Sequence, residues 1–481
     1  MTATVIVWLR QDLRLADNPA LRAAYERGGA VIPAYIWAPA EEGNWAPGSA
    51  SCYWLHQSLL SLNAELEKAG SRLIIRQGGS LEELDKLIRE TGADAVYWNR
   101  RYEPAARQRD ADIKNRLCSR GVTVESYNGN LLFEPSGILN KQGRPFKVFT
   151  PYWRHCRLQG EPEPPLPAPR SLRAPENWPL SVSLKKLQLE PSVDWTAGIR
   201  GTWNFGATGA RRALRDFLRD GIEHYAAQRD YPGIRGVSRL SPRLHFGEIS
   251  PRQVWSAVRD HGSGKGRLSE SKHAEAYLRQ LGWREFGQYL LFHFPHIPDA
   301  PFNDDYRNFP WQWDTSLLRL WQRGETGYPI VDAGMRELWH TGYMHNRVRM
   351  IVASFLVKDL LVHWLEGARW FWDTLVDADL ANNTLGWQWA AGCGADAAPY
   401  FRIFNPTRQA QRFDPDGTYI RRWLPELKRL PDKDLPRPWE AGAASLNKAS
   451  VVLGKTYPEP IVDHQQARAK ALAALKTIRK N

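Results

Sequence analysis

TVIVWLR, at residues 4–10, is the first of five short runs of β-branched and aromatic residues that decide the fold of the first part of this chain. Runs of this composition are typical of buried strands. The other four are VIPAYIW (31–37), SRLIIRQ (71–77), AVYWNR (95–100) and VTVESYN (122–128). The sequence therefore predicts five strands between Thr4 and about Asn128.

Amphipathic stretches separate these runs. CYWLHQSLLSLNAELEKAG (52–70) and SLEELDKLIRETG (80–92) carry apolar residues at three- and four-residue spacing, which predicts helices. Alternating strands and helices imply an α/β domain with a five-stranded parallel, doubly wound sheet. No G-x-G-x-x-G follows the first strand, so the nicotinamide-type fingerprint is missing. A ligand of this domain would bind at the carboxyl ends of the strands.

The rest of the chain has a different character. Residues 159–191 are rich in proline, densest in EPEPPLPAP (161–169), and predict an extended surface connector. Beyond Thr202 only helical patterns follow, so we expect an all-α second half. We expect an α/β domain over residues 1–132, a linker over 133–201 and a helical domain over 202–481. The predicted helical stretches include residues 207–230, 250–260, 272–294, 331–342, 346–367 and 463–480.

Composition excludes several classes of protein. Among 481 residues, 43% are hydrophobic and 24% charged, as in ordinary globular proteins and unlike disordered or fibrous chains. The four cysteines share no C-x-x-C spacing, which argues against a disulfide framework, a zinc ribbon or an iron–sulfur cluster. Charges come too early for a signal peptide, and no apolar run reaches the length of a membrane span. We therefore expect a soluble, cytoplasmic protein with no membrane partner.

Charge and tryptophan content are both unusual. The net charge is +13, which favours a polyanionic partner, with simple solubility as the alternative. There are 22 tryptophans, ten of them between Trp283 and Trp389. Indoles serve as core residues, as stacking surfaces for bases, or in flavin and electron chemistry.

The segment GVSRLSPRLHFGEISP (236–251) combines serines, an arginine and helix starts. Ser238 and Ser241 flank Arg239, and Ser250-Pro251 has the form of an N-cap followed by proline. Such a segment suits a phosphate or pyrophosphate. Plain helix capping is the alternative interpretation.

Two further helical segments carry candidate binding residues. Gln280, Trp283 and Arg284 are spaced i, i+3, i+4 and predict one helix face that could hydrogen-bond and stack on a flat heteroaromatic. In GYMHNRVRM, a second face combines Asn346, Arg349 and Met350, with Arg347 expected to point aside. Each set could equally be ordinary packing.

DTLVDADLANNTLGWQWAAG (373–392) is the densest candidate site. Asp377 and Asp379 precede Asn383, and Trp387 and Trp389 follow on opposite sides of a predicted helix. One indole could then face a cofactor and the other a substrate. No histidine or third acid follows at ligand spacing, so we expect no metal.

From WLRQDLR (8–14) to APYFRIFNP (398–406), the sequence resembles the photolyase/cryptochrome flavoproteins, with TGYPIVDAGMRELWHTGYMHNRVRMIVASFLVKDLL (326–361) as the longest matching run. The resemblance implies an α/β antenna domain, a linker and a helical domain holding folded-back FAD, active as the reduced anionic hydroquinone. It implies an enzyme that uses light to repair cyclobutane pyrimidine dimers in DNA as a monomer, associated with the nucleoid when bound. Asn383, Asn346, Trp283 and Met350 are the residues that point to dimer repair among the branches of the family.

The resemblance also assigns roles residue by residue. Asn383 matches the position at flavin N5, Arg349 and Asp377 the charged pair beside the isoalloxazine, and Asp379 the carboxylate at its pyrimidine edge. The positions expected to bind FAD are Tyr225, Ser238, Arg239, Leu240, Ser241, Tyr277, Arg284, Asn346, Arg349, Asp377, Asp379 and Asn383. Those expected to bind the lesion or DNA are Gln280, Trp283, Asn346, Arg347, Met350, Trp389, Arg229 and Arg402. Trp387, Trp364 and Trp311 match the electron-hopping chain from flavin to surface.

Two departures from the family pattern matter. Gln280 stands where dimer-repair enzymes commonly have glutamate, which could lower repair yield or mark a sensor. Ala105-Ala106 replaces an Asn-Glu pair of folate-binding relatives, so the antenna, methenyltetrahydrofolate or a deazaflavin, is left open. The sequences of the stretches NRRYEP (99–104) and KVFTPYWRHC (147–156) most resemble the class III branch of the family.

Two rival functions remain open at this point. A light-signalling cryptochrome would keep FAD and the tryptophan chain without repair, and a nucleic-acid-binding protein without photochemistry would purify colourless.

Overall fold

A computed structural model describes residues 3–261, 271–397 and 401–478. The chain forms two compact units that alternate along the sequence. Unit 1 comprises Met1–Glu223, Ser238–Pro295 and Val376–Asp379, and unit 2 comprises His224–Val237, His296–Leu375 and Leu380–Asn481.

The five predicted strands form one sheet in unit 1. They are β1 (Thr4–Leu9), β2 (Ala30–Trp37), β3 (Ile74–Gln77), β4 (Ala95–Asn99) and β5 (Thr123–Tyr127). All pairs are parallel, in the order β3-β2-β1-β4-β5, with Val5 opposite Val31 on one side of β1 and Ala95 on the other. The predicted α/β fold is therefore confirmed. Strand β3 begins later than its apolar run because the backbone N–H of Leu73 donates to Asn63 Oδ1 (2.9 Å) instead of to a strand.

The helices follow in chain order. The α-helices are α1 (Pro19–Glu26), α2 (Ser49–Lys68), α3 (Ser80–Thr91), α4 (Pro104–Cys118), α5 (Phe149–Leu158), α6 (Ala197–Thr202), α7 (Gly206–Asp220), α8 (Tyr225–Gln228), α9 (Ser241–His245), α10 (Pro251–His261), α11 (Lys272–His293), α12 (Thr315–Arg323), α13 (Pro329–Thr341), α14 (Asn346–Ser354), α15 (Trp364–Thr374), α16 (Leu380–Ala391), α17 (Pro406–Phe413), α18 (Thr418–Trp423), α19 (Ala443–Ala449) and α20 (His464–Ile478). Short 3-10 helices lie at Pro39–Trp45, Pro135–Gly137, Leu184–Leu187, Ile222–His224, Asp304–Asn308, Pro425–Leu427 and Pro438–Glu440, and a π-helical turn lies at Phe355–Asp359. Beyond Thr202 the described residues form no strand, which confirms the predicted helical half.

Buried apolar strands give unit 1 its core. All residues of β1 and β4 are buried, as expected where helices cover both faces of a parallel sheet. Trp8 and Trp98 meet edge to face on neighbouring strands, with ring centroids 5.6 Å apart. The sheet is thus a rigid base for the segments that follow it.

Two predicted helices are broken, each for a local reason. Residues 207–230 form α7 and α8, and the chain leaves α7 at Gly221, where a Cβ atom would lie 2.8 Å from the Phe217 ring. Residues 346–367 form α14, the π-helical turn and α15. Leu361 adopts a left-handed φ of 53°, and His363 then caps α15 by accepting from Leu365 N (3.1 Å). These breaks set the directions of the site-bearing helices.

Candidate functional site

The serine-rich segment of unit 1 turns sharply before a short helix. Arg239 has a left-handed φ of 53°, and its guanidinium lies 4.4 Å from the Trp203 ring centroid. Ser241 starts α9 and its hydroxyl donates to Asp377 Oδ2 (2.6 Å). Ser250 has the predicted capping role, because Ser250 Oγ accepts from Gln253 N and Gln253 Oε1 accepts from Ser250 N, both at 2.9 Å. Ser238 and Leu240 lie in the turn itself.

Two buried carboxylates lie in the connection before α16. Asp377 and Asp379 are each 8% exposed. Asp379 Oδ2 accepts from Gln288 Nε2 (2.8 Å) and lies 3.9 Å from His245 Nδ1. Sequence reasoning missed Gln288 and His245. Gln288 could have been found, because it follows Arg284 by four residues on the face already marked by Gln280.

A narrow polar cavity within unit 1 reaches Asp379. Its walls come from the segments that follow β1, β4 and β5, from α9 and α11, and from the connection before α16. The lining residues are Gln11, Arg100, Arg101, Tyr102, Glu103, Asn130, Leu131, His245, Arg284, Gln288 and Asp379. The arrangement combines carboxylate, amide and guanidinium groups that suit a hydrogen-bonding heteroaromatic edge.

Gln280, Trp283 and Arg284, predicted to share one helix face, all lie on α11. Trp283 is half-buried and stacks on Phe149, with ring centroids 3.8 Å apart and planes 8° from parallel. Arg284 donates to the Asn130 carbonyl (2.8 Å), and the Gln280 amide donates to the Ala276 carbonyl of its own helix (3.1 Å). The indole is thus held in place on one face.

Tyr277 and Glu285, both buried, connect α11 to neighbouring segments. Tyr277 packs on Phe217 of α7, with ring centroids 4.6 Å apart. Glu285 accepts from the backbone N–H groups of Leu132 (2.8 Å) and Phe133 (3.2 Å). Burial raises the pKa of the Glu285 carboxyl to about 7, against the lowering effect of Arg284. Glu285, which sequence reasoning missed, ties α11 to the segment after the sheet.

In unit 2, arginines gather around the start of α14. Arg347 pairs with Asp230 (2.9 Å) and lies 4.3 Å from the Phe413 ring centroid. Arg229 is partly exposed, and its guanidinium is 5.4 Å from the ring of buried Tyr225 on α8. Asp230 was missed, although it directly follows Arg229 in sequence. The pairing of Arg347 with Asp230 orders a cationic side chain at the partly exposed start of α14.

His345 caps α14 and is neutral. Its Nδ1 accepts from Arg347 N (3.2 Å). Burial lowers the pKa of the His345 imidazole to about 4, and Arg349, Arg347 and Arg229 lower it further against Asp230. A neutral ring is required for its acceptor role.

The amide and thioether of α14 meet as predicted, with one correction. Asn346 Nδ2 lies 3.9 Å from Met350 Sδ. Arg347, expected to point aside, also places Nη1 3.9 Å from that sulfur because residues three apart share a helix face. Arg349 donates from Nε to the Met344 carbonyl (2.7 Å). Its expected pairing with Asp377 stays a prediction.

Trp387 is enclosed by aromatic rings on α16 and its neighbours. The side chain is 2% exposed, and its centroid is 5.0 Å from Phe371 and 6.1 Å from Trp321, both edge to face. A Cβ atom on Gly367 would lie 2.0 Å from the Trp387 ring, so this close approach requires glycine. Within the described part of the chain, Trp387 Nε1 has no hydrogen-bond partner. One turn before it, Asn383 Nδ2 donates to the Ala368 carbonyl of α15 (3.0 Å).

The other two predicted tryptophans meet at a histidine. Trp364 is 1% exposed and its ring centroid lies 5.8 Å from that of His363, whereas the half-buried Trp311 is 5.3 Å from His363 on another side. Trp313, which is 69% exposed, stacks on His363 at 5.3 Å. Burial lowers the pKa of the His363 imidazole to about 4. Sequence reasoning missed His363 and Trp313, although W-Q-W and H-W adjacency could have suggested them.

Trp389, the second indole of α16, lines a small cavity in unit 2. Lys358 Nζ, which lies there, donates to the Arg402 carbonyl (2.5 Å), and burial lowers the pKa of this ammonium to about 7. Arg402 is exposed. Residues 398–400 of the APYFRIFNP motif lie outside the described residues. The lining residues are Ser354, Lys358, Trp389, Ala390, Gly392, Arg402 and Phe404.

Neither a metal site nor a membrane span is found in the described part of the chain. Among these residues, no group of three or more His, Cys, Asp or Glu side chains could hold a metal ion. No helix within the same residues is long and apolar enough to cross a membrane.

Comparisons with known proteins cover the whole chain. Residues 5–170 match the family model described as DNA photolyase, and residues 277–477 match the FAD binding domain of DNA photolyase. The chain is 49% identical over 480 residues to the deoxyribodipyrimidine photo-lyase of Agrobacterium fabrum, covering 100% of this chain and 99% of that protein. It is 41% identical to cryptochrome-2 of Arabidopsis thaliana, covering 98% of this chain and 79% of that protein. The crystal structure of a bacterial class III photolyase from Agrobacterium tumefaciens matches with a TM-score of 0.96 at 49% identity, covering 100% of this chain and 98% of that one.

Proposed function

The chain belongs to the DNA photolyase/cryptochrome family, and on that premise we propose that it is a light-driven DNA photolyase that repairs cyclobutane pyrimidine dimers. The observation that carries the proposal is the identity of 49% to a deoxyribodipyrimidine photo-lyase along both full lengths. The protein acts on DNA in the cytoplasm as a monomer, bound to the nucleoid when engaged on a lesion.

The donor and acceptor groups in unit 1 fit FAD. Buried Asp379, held by Gln288, is an acceptor suited to the imide N–H of a flavin, and Ser238, Ser241 and Arg239 suit its diphosphate. We assign the remaining contacts with FAD to Tyr225, Leu240, Tyr277, Arg284, Asn346, Arg349, Asp377 and Asn383. When bound, reduced FAD supplies the photochemical electron that opens a cyclobutane ring.

The chain's own residues then have distinct tasks. Asn383 is held by the bond from its amide nitrogen to the Ala368 carbonyl, and its carboxamide oxygen would be the group that meets the flavin at the N5 position. The guanidinium of Arg349 and the carboxylate of Asp377 would set the electrostatics around the bound flavin. Proton transfer by an acid–base pair is not needed, and the neutral histidines His345 and His363 serve as helix caps.

Lesion binding depends on aromatic stacking and positive charge. Photolyases are base-flipping enzymes, and extruding a damaged dinucleotide from the duplex costs a few kcal/mol. Stacking on Trp283 and Trp389 offsets this by about 1–3 kcal/mol per base. Arg229, Arg347 and Arg402 contribute phosphate contacts, while Gln280, Asn346 and Met350 contact the lesion.

Trp387, Trp364 and Trp311 form a route for electrons between the interior and the surface. The first two are almost fully buried and Trp311 is half-buried. Their task is to reduce the oxidised cofactor in light, which is separate from repair itself. An antenna chromophore, methenyltetrahydrofolate or a deazaflavin, is a further part of the proposal, tested by the fluorescence of the small molecules released from purified protein.

The experiment is repair of a thymine-dimer oligonucleotide by the reduced protein, in near-UV light and in darkness. We expect intact thymines to return only in light, with undamaged oligonucleotide unchanged. Reduced, FAD-containing protein that restores no thymines would overturn the proposal.

A blue-light photoreceptor is the second candidate, favoured by Gln280. Its amide is bonded to the Ala276 carbonyl of its own helix, and it supplies no carboxylate near the lesion. The variant Gln280→Glu separates the two functions. A photolyase should show repair in both forms, with a higher yield in the variant because its carboxylate forms stronger hydrogen bonds, whereas a photoreceptor should show none in either.

A further inference from the structure

The stretch KVFTPYWRHC (147–156) has no role in the function described above. It begins α5 of unit 1, whose first residue, Phe149, is 0% exposed. Phe149 is the ring that stacks on Trp283, at 3.8 Å and 8°. A fully buried ring therefore covers one face of a half-buried indole.

Phe149 is itself fixed from several directions. Trp153, one turn later on α5, lies nearly parallel to it at 6.3 Å, and Phe286 meets it edge to face at 5.8 Å. The Arg279 guanidinium, one turn before Trp283 on α11, lies 4.7 Å from the Phe149 centroid. Phe149 thus has little freedom to move away from Trp283.

A glycine allows α5 to approach α11 this closely. A Cβ atom on Gly282 would lie 2.7 Å from Cε3 of Trp153. Without that atom, the Trp153 ring rests directly on the backbone of α11. The same approach brings Phe149 against the next residue of α11, Trp283.

We propose that Phe149 is a positioning residue for lesion binding, which holds the Trp283 indole in the orientation that stacks on a base of the dimer. This rests on the proposed function. An indole free to rotate would lose side-chain entropy on binding, whereas a stacked indole is already ordered. The cover also leaves the opposite ring face as the one that receives a base. At a centroid distance of 3.8 Å the two rings overlap nearly face to face, so van der Waals contact holds the pair together.

The test compares four proteins: wild type, Phe149→Leu, Trp283→Ala and the control Tyr152→Leu. Tyr152 is also buried on α5, but its ring packs on Phe146, Phe286 and Tyr289. The readouts are FAD content, Kd for dimer-containing and undamaged oligonucleotide, and repair per absorbed photon at saturating DNA.

We expect Phe149→Leu to raise the Kd for dimer DNA about threefold to tenfold. Its Kd for undamaged DNA and its repair per photon at saturation should stay at the wild-type values, and Tyr152→Leu should bind dimer DNA as wild type does. If Phe149→Leu purifies without FAD, Phe149→Met, which keeps most of the volume but not the flat ring, takes its place.

Three outcomes would overturn this assignment. They are unchanged dimer affinity in the Phe149 variant, equal losses in both α5 variants, and loss of repair per photon with affinity intact. Failure of the proposed function gives a different result, because wild type would then neither prefer nor repair dimer DNA.

Discussion

Trp283 in unit 1 and Trp387 in unit 2 both pack against aromatic neighbours, yet their environments are opposite. Trp283 is half-buried, stacks plane to plane on Phe149 and meets Phe286 edge to face at 5.9 Å. Trp387 is almost fully buried and meets Phe371 and Trp321 edge to face. Its indole N–H has no hydrogen-bond partner in the described part of the chain. A flat ring with one supported face suits stacking on a base, whereas an indole enclosed by aromatic rings has no face open to a base.

Residue type alone therefore does not assign a role to either tryptophan. Each indole depends on a glycine in a neighbouring contact, Gly282 for the α5–α11 approach and Gly367 for the Trp387 ring. In both regions, a missing side chain decides where a large one can lie.

Blocking the proposed electron route through Trp387, Trp364 and Trp311 should give the largest effect. Trp364→Phe removes an easily oxidised ring of the proposed electron route while keeping an aromatic side chain. We expect photoreduction of oxidised flavin in light to be largely lost, and dimer repair by chemically reduced protein to stay at the wild-type rate. Absorbance at the flavin bands measures the first and oligonucleotide repair the second. Loss of repair in pre-reduced protein would show that Trp364 has another role.

Removing the stacking indole should give the next largest effect, with the opposite signature. Trp283→Ala should weaken binding of dimer DNA about fivefold to 150-fold, since stacking contributes about 1–3 kcal/mol per base. FAD content and photoreduction should be unchanged. Titration of a labelled dimer oligonucleotide measures the affinity. Unchanged affinity would count against the assignment of Trp283, and lost FAD would show that the residue supports the flavin domain instead.

Replacing Gly282 or Gly367 with alanine, which adds one methyl group beside the Trp153 or the Trp387 ring, should have a smaller effect. Ala is favoured over Gly in a helix by about 0.5–1 kcal/mol, but overpacking a core costs about 1–3 kcal/mol. The clash is closer for Gly367→Ala (2.0 Å) than for Gly282→Ala (2.7 Å), so we expect the larger fall in Tm for Gly367→Ala.

The two glycine variants should also separate the functions. Gly367→Ala should slow photoreduction, and Gly282→Ala should weaken dimer binding. Gly386→Ala on α16 is the control, because a Cβ atom there would meet nothing within 4 Å, and its Tm should not fall. Equal changes in all three variants would mean that helix propensity, not ring contact, governs these sites.

The sequence predicted the elements of both regions better than their contacts. The five strands follow directly from apolar runs, and the spacing of Gln280, Trp283 and Arg284 correctly predicts a helix, α11. Local pattern could not show that Phe149, 134 residues earlier, would stack on Trp283, because that contact depends on how α5 docks on α11. The family resemblance assigned Trp283 but not its support.

Helix breaks limited the prediction in unit 2. The run 346–367 has no proline or glycine before Gly367, so its pattern predicts one helix, yet Leu361 takes a left-handed conformation. His363 then caps α15 and contacts three tryptophans. A lone histidine in an apolar run does not predict either of these contacts. Asp230 and Gln288 were missed for a different reason, because their partners, Arg347 and Asp379, are distant in sequence.

The smallest expected effect is a difference in pH response between the two regions. Burial raises the pKa of Glu285, beside Arg284 on α11, to about 7. The folded state therefore favours the protonated carboxyl, so its contribution to stability is present below pH about 4.5 and is lost as the pH rises through about 7. We expect Tm to fall between pH 5 and pH 8 in wild type and to fall less in Glu285→Gln. Burial lowers the pKa of the His363 imidazole, which contacts three tryptophans, to about 4. The ring therefore stays neutral between pH 5 and pH 8, and the photoreduction rate should not change over this range. Parallel Tm curves for wild type and Glu285→Gln would show that Glu285 does not titrate in this range. A photoreduction rate that changes with pH would show that a titrating group lies beside the tryptophans of the proposed electron route.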